Sequence, residues 1–132
     1  MDRAISYKSD DSSLEANKFL QLVMAVWPGE FDATMTTIAI DRTINFTAWD
    51  GEKLVGCARL LTDGYFFSTL SEILVLPDYQ GIGIGKKLMG MVYEASPSTL
   101  SFGAQPQNEV FFEKLGYQKT MGFFQKRKSR NT

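Results

Sequence analysis

The sequence predicts an α/β domain of the mixed α+β kind, in which a mostly antiparallel central sheet of six to seven strands carries helices on both faces. Three observations predict it. The period of the apolar residues switches from helical to alternating near Ile44, and Asp50-Gly51 and Asp63-Gly64 cut the alternating region into three strands. The third of these strands is apolar on successive positions, as a strand covered on both faces must be. With 132 residues, 44% hydrophobic and 22% charged, the chain has the size and composition of one globular domain over residues 1–132.

The elements follow in order. Arg3 to Lys8 reads as a short first strand. Asp10-Asp-Ser-Ser13 offers capping oxygens to a helix that carries Leu14, Phe19, Leu22, Val23 and Val26 at helical spacing and ends near Trp27-Pro28-Gly29. Asp32 caps a second helix with Met35, Ile38 and Ala39, which Thr34, Thr36 and Thr37 weaken because branched side chains lose rotamer freedom in helices. Ile44–Trp49, Lys53–Leu61 and Phe66–Leu76 form an antiparallel meander, and Pro77 stops its central strand. Leu88, Met91, Val92 and Ala95 share one helical face, Ser96-Pro97-Ser98 breaks that helix, and Thr99 to Phe102 returns as a strand, completing a crossover unit. Val110 to Leu115 is a short helix ended by Gly116, and Tyr117–Thr120 with Phe123–Lys126 reads as a closing hairpin.

Charge and cysteine usage exclude several function classes. Fourteen Lys and Arg against fifteen Asp and Glu give a formal charge of −1, so no surplus of positive charge tracks a nucleic acid, and the run Lys126, Arg127, Lys128 and Arg130 reads as a solvated tail. Cys57 is the only cysteine and histidine is absent, which leaves no internal disulfide, no Cys/His metal site and no His-based triad. Any general base is therefore a carboxylate, or a water held by one. No apolar run approaches the roughly 18 residues of a membrane span, and Met1 to Asp10 lack the apolar core of a signal peptide. The expectation is a soluble, cytoplasmic protein without a membrane partner.

The clearest chemical signal is Val75-Leu-Pro-Asp-Tyr-Gln-Gly-Ile-Gly-Ile-Gly-Lys-Lys87, where three alternating glycines separate a buried strand from an amphipathic helix. Glycines let backbone N–H groups approach a ligand, and a helix start adds about half a positive charge, which together suit a pyrophosphate. A dinucleotide fingerprint starting at Gly81 needs glycine where Lys86 stands, and a P-loop ending at Gly85-Lys86 needs glycine at Gln80 and Ser or Thr at Lys87. Both fail.

The run Gln80-Gly-Ile-Gly-Ile-Gly85, in its order of elements and with Glu113-Lys-Leu-Gly-Tyr117 downstream, resembles the GNAT superfamily of acyl-coenzyme A dependent N-acetyltransferases over nearly the whole chain. The resemblance implies acetyl-coenzyme A as co-substrate, with no metal. It also implies that backbone groups of Ile73, Leu74 and Val75 pair with the pantetheine arm, and that Gln80, Gly81, Ile82, Gly83, Ile84, Gly85 and Lys86 hold the pyrophosphate. The acceptor it implies is a primary amine of a small molecule or peptide, attacked directly in a ternary complex, and family members often dimerise, which extends to a homodimer here.

Glu72 is the lone acid in the apolar strand and the candidate catalytic base, its alternative role being a carboxylate satisfied by a neighbouring backbone group or lysine. At Phe112 the chain departs from the resemblance, since many members carry a tyrosine there that protonates the leaving thiolate. A phenyl ring carries no such proton. Tyr79, Tyr93, Tyr117 or solvent then substitutes, and Phe112 packs against the pantetheine or the core. Asn108 stands four positions before Phe112, with Gln105 its rival for a cofactor contact. Cys57 reads as a small core residue, and Trp27, Phe31, Tyr65, Phe66 and Phe67 as core or acceptor-pocket aromatics. The competing function is a coenzyme A or acyl-coenzyme A binding or sensing module without turnover.

Overall fold

The meander predicted from Ile44 onward is present in the computed structural model, which describes residues 4–129. The chain divides into two compact units, Met1–Phe102 and Gly103–Thr132. In the first, β1 (Ile5–Lys8), β2 (Ile44–Asp50), β3 (Lys53–Thr62), β4 (Ser68–Val75) and β5 (Leu100–Ser101) form one sheet in sequence order. The first three pairings are antiparallel and β4 with β5 is parallel. This is the mixed sheet expected, with five strands among the described residues rather than six to seven.

Helices α1 (Ala16–Val26), α2 (Ala33–Asp41) and α3 (Ile84–Ala95) cover the sheet. Alternation along the strands decides which face each takes. Cys57 and Leu74, paired across β3 and β4, share a core with Phe19, Leu22 and Val23 of α1 and Ile40 of α2. Gly56, one residue away, faces the other side: a Cβ there would lie 3.0 Å from Ile84 Cγ2 and 3.1 Å from Leu88 Cδ1 of α3. Gly56 therefore sets how closely α3 approaches β3. Each fully buried aliphatic or aromatic side chain contributes about 1.5–3 kcal/mol, so the fully buried Leu22, Phe46, Leu60, Leu74, Leu88 and Val92 carry much of the stability.

Three expectations are corrected. The Asp10–Ser13 stretch does not cap α1, whose first flanking residue, Glu15, makes no side-chain cap. Asp11 turns inward instead: Oδ1 accepts from Ser13 N at 3.0 Å and Ser13 Oγ at 2.5 Å, and Oδ2 from Thr47 Oγ1 at 2.7 Å and Trp49 Nε1 at 3.1 Å. Burial alone would raise this carboxyl, but the hydrogen bonds from Ser13, Thr47 and Trp49 outweigh it and hold the group below its usual range. Second, β4 starts at Ser68 and not Phe66, because Asp63 Oδ1 accepts the N–H groups of Tyr65, Phe66 and Phe67 and draws them into the loop. Third, the closing hairpin is absent, since 117–129 form no strand. An isolated short hairpin is marginal in water, and its apolar residues Phe123 and Phe124 are adjacent rather than alternating.

Asp32 does cap α2, accepting from Met35 N at 2.8 Å, and Thr36 and Thr37 bond back to Asp32 O and Ala33 O. Arg3 of the expected first strand and Arg130 of the basic tail lie outside the described residues. The second unit holds a single-turn helix at Pro106–Asn108 and α4 (Glu109–Lys114), which Gly116 follows at φ 97°.

Candidate active site

The parallel ladder between β4 and β5 is two residues long, Ser68 with Leu100 and Thr69 with Ser101. Beyond it, Leu70 to Val75 have no strand partner on that edge among the described residues. Which groups face the edge follows from one hydrogen bond. Leu76 N donates to Val55 O at 2.9 Å, so in antiparallel alternation Leu74 turns its N–H and C=O to Cys57 of β3, while Ile73 and Val75 turn theirs outward. Of the three residues expected along the arm, Ile73 and Val75 thus present backbone groups and Leu74 does not. Gln80 Nε2 donates to Val75 O at 3.0 Å, leaving the Val75 N–H and both groups of Ile73 on that edge. Gln80 ties the glycine turn to the strand.

The turn follows a single-turn helix at Pro77–Tyr79. Buried Tyr79 donates its hydroxyl to Asp50 Oδ2 at 2.5 Å, which anchors the turn to the end of β2. Gly81 and Gly83 adopt φ 81° and 94°, a region that only glycine occupies without strain, and a Cβ at either would meet nothing within 4 Å. Gly83 flanks α3 with no side-chain cap, and the first N–H bonded back to it is Lys87 N to Gly83 O, at 3.0 Å. The preceding amides of the first turn, through Lys86, have no helical acceptor. Ile84 is buried in the core and Ile82 is exposed, so these two residues offer backbone rather than side chains.

Glu72 sits on the α1 face of β4. The β3–β4 register shifts between Arg59 and Leu60: Arg59 pairs with Glu72 and Leu60 with Leu70, which leaves Ser71 as the extra residue of a β-bulge. Ser71 and Glu72 both meet Arg59. Its Nε is ion-paired to Glu72 Oε2, its Nη2 donates to Oε1 at 2.7 Å and to Ser71 Oγ at 3.2 Å, and Ser71 Oγ donates to Oε1 at 2.8 Å. The guanidinium lies 5.3 Å from the centre of the Phe19 ring of α1. Burial would lower the pKa of Arg59, but the hydrogen bonds and charge of Glu72 outweigh it and raise it. Cys57 is buried, and burial followed by the charge of Glu72 pushes its thiol far up. It is a core residue and no nucleophile.

Residues 41–119 match the acetyltransferase (GNAT) domain family. The chain belongs to the GNAT acetyltransferase family. Over 71 residues it is 38% identical to an uncharacterized N-acetyltransferase, ycf52, of Pyropia yezoensis. That match covers 51% of this chain and 41% of the relative, so the chain spans less than half the length of the curated protein it resembles. A GNAT family acetyltransferase of Streptococcus pneumoniae shares the fold with a TM-score of 0.78 at 23% identity, covering 96% of this chain and 100% of that one. So does the aminoglycoside N-acetyltransferase AAC(6')-Iy, solved in complex with CoA, with a TM-score of 0.74 at 17% identity over 97% of both chains.

The remaining site residues of this GNAT chain divide by place. Tyr79 has its hydroxyl engaged by Asp50, and Tyr93 is exposed on α3. In the second unit, Asn108 precedes α4 without a side-chain cap and Gln105 flanks the single-turn helix. Phe112 is buried there, edge-on to Phe111 and Tyr117 at 5.0 and 6.1 Å between ring centres. Among the acceptor-pocket aromatics, Trp27, Tyr65, Phe66 and Phe67 are exposed and Phe31 packs against the α1-face core. Sequence reasoning missed Arg59, and the signal that marks it is an arginine in the otherwise apolar run Leu54 to Leu61.

Proposed function

We propose that this chain is an acetyl-coenzyme A dependent N-acetyltransferase that acylates a primary amine of a small molecule or peptide by direct attack in a ternary complex. The observation that carries the reading is the start of α3, without a side-chain cap, standing at the end of the Leu70–Val75 edge, which has no strand partner among the described residues. An extended, amide-bearing arm adds to such an edge as another strand does, and a pyrophosphate suits the helix start. The residues fit the group: the space over Gly81 and Gly83 is open, and their φ angles exclude the side chains that would fill it. Ile73 and Val75 serve the arm, and the amides from Gly81 to Lys86 serve the pyrophosphate. The CoA complex of AAC(6')-Iy supports this choice of cofactor.

When bound, acetyl-coenzyme A supplies the acetyl group as a thioester. The transfer forms one C–N bond and breaks one C–S bond, and an acceptor ammonium gives up two protons. Glu72 receives one through a water at its carboxylate. The other goes to the departing sulfur by way of solvent, because Phe112 carries no phenol and Tyr79 donates its hydroxyl to Asp50. The Val75 N–H, turned outward and unclaimed by β3, is the donor for developing negative charge. Release of free thiol across a panel of primary amines tests the reading, with turnover expected for at least one amine and none without acetyl-coenzyme A.

A second reading, a coenzyme A binding or sensing module, is favoured by Phe112 and by the hold of Arg59 on Glu72; it expects saturable binding and no thiol release from any amine. Among the described residues no helix is long and apolar enough to cross a membrane. The reading takes the chain as cytoplasmic.

A further inference from the structure

Resting on the acyltransfer reading above, we propose that Arg59 is a positioning residue, which fixes the Glu72 carboxylate and leaves Oε2 as its one oxygen open to the acceptor's proton. A carboxylate offers about four lone-pair sites, two on each oxygen. Oε1 takes Arg59 Nη2 and Ser71 Oγ, which fills it. Among the described residues, Oε2 takes Arg59 Nε alone. One site remains, on Oε2, for a water that bridges to the acceptor nitrogen; the N–H bond breaks, its proton passes to that water, and the water gives one of its own protons to Oε2, so that Glu72 ends protonated and no further reactant is needed.

The bulge makes this arrangement. Without the extra residue, Ser71 and Glu72 would point to opposite faces of β4 and Arg59 would reach only one of them. Arginine suits the task because its planar fork spans both oxygens, whereas a lysine ammonium is a point charge. The Phe19 ring supports the guanidinium from α1, and the side chains of Arg59 and Glu72 are only 14% and 11% exposed. Solvent therefore competes weakly for the pair.

The test is a set of variants of the full chain, each assayed for kcat with a reactive amine and for acetyl-coenzyme A affinity by calorimetry. Arg59→Gln is expected to lower kcat about a hundredfold, the loss typical of a misplaced catalytic group, with cofactor affinity unchanged. Arg59→Lys is expected to recover part of that loss, since it returns the charge without the fork. In a Glu72→Gln background, Arg59→Gln is expected to lower kcat no further, because it acts only through Glu72. Wild-type kcat in Arg59→Gln or Arg59→Lys, or an equal additional loss in the Glu72→Gln background, overturns the role. Should Arg59→Gln fail to bind cofactor, Arg59→Lys decides alone. A wild-type chain that binds cofactor but acylates no amine overturns the acyltransfer reading, and this role with it; turnover in the wild type that survives in Arg59→Gln overturns the role of Arg59 only.

Discussion

The glycine turn and the Glu72 cluster stand on the same strand and its exit, yet they are built from different materials. At Gly81 and Gly83 the chemistry is all backbone: left-handed φ angles, open space and amides with no helical acceptor. At Glu72 it is all side chain: an arginine from the neighbouring strand and a serine displaced by a bulge. A backbone site depends on local conformation and is broken by adding a side chain. A side-chain site depends on strand register and is broken by removing one.

The contrast sharpens into paired variants. The two largest effects are expected in this pair: at the turn, Gly83→Val introduces a branched side chain at φ 94° and should reduce acetyl-coenzyme A affinity by about a hundredfold or more, each tenfold being about 1.4 kcal/mol. Calorimetry reads it directly, and retained affinity would detach the turn from the cofactor. Glu72→Gln should do the opposite, leaving affinity alone and lowering kcat by about 10²–10⁴-fold, the range of general base catalysis. Equal losses of affinity in the two variants would erase the distinction.

The next effect lies in stability. Asp11 accepts four hydrogen bonds in the loop that joins β1 to α1, and Asp11→Asn should destabilise the fold by about 1–3 kcal/mol at neutral pH, because the amide cannot accept at both of its ends. The folded-state pKa of Asp11 is depressed. Its contribution is therefore complete above the unfolded value near 3.9 and is lost as pH falls through the folded one. Denaturant midpoints measured down that window should converge for the wild type and the Asn variant, and a constant gap would refute the assignment. The smallest effect belongs to Cys57→Ala, which should leave the amine-dependent thiol release unchanged in kcat while lowering the unfolding midpoint slightly.

What could be read in the chain follows the same division. The spacing of Gly81, Gly83 and Gly85 between an apolar strand and an amphipathic helix is a local pattern, so the turn, the meander and α3 were legible from the order of residues alone. Register was not. Arg59 meets both Glu72 and Ser71 because the β3–β4 register shifts where Ser71 bulges out, and a bulge leaves no periodic trace. Alternation then separated Ile73 and Val75 from Leu74, a distinction that needs to know which pair of residues shares hydrogen bonds. Asp11 misled for a related reason: an acid ahead of a helix resembles a cap, and two of its partners, Thr47 and Trp49, lie more than thirty residues away. The closing hairpin is absent because residues 117–129 form no strand, and adjacent Phe123 and Phe124 give no alternating face to bury.

The most direct measurement is a calorimetric titration of acetyl-coenzyme A and desulfo-coenzyme A into the wild-type chain, with NAD and ATP as controls. The backbone site predicts saturable, one-to-one binding of both coenzyme A compounds and none of the controls, since the arm pairs with the β4 edge and needs no sulfur. Absence of coenzyme A binding, or equal binding of NAD or ATP, would contradict it.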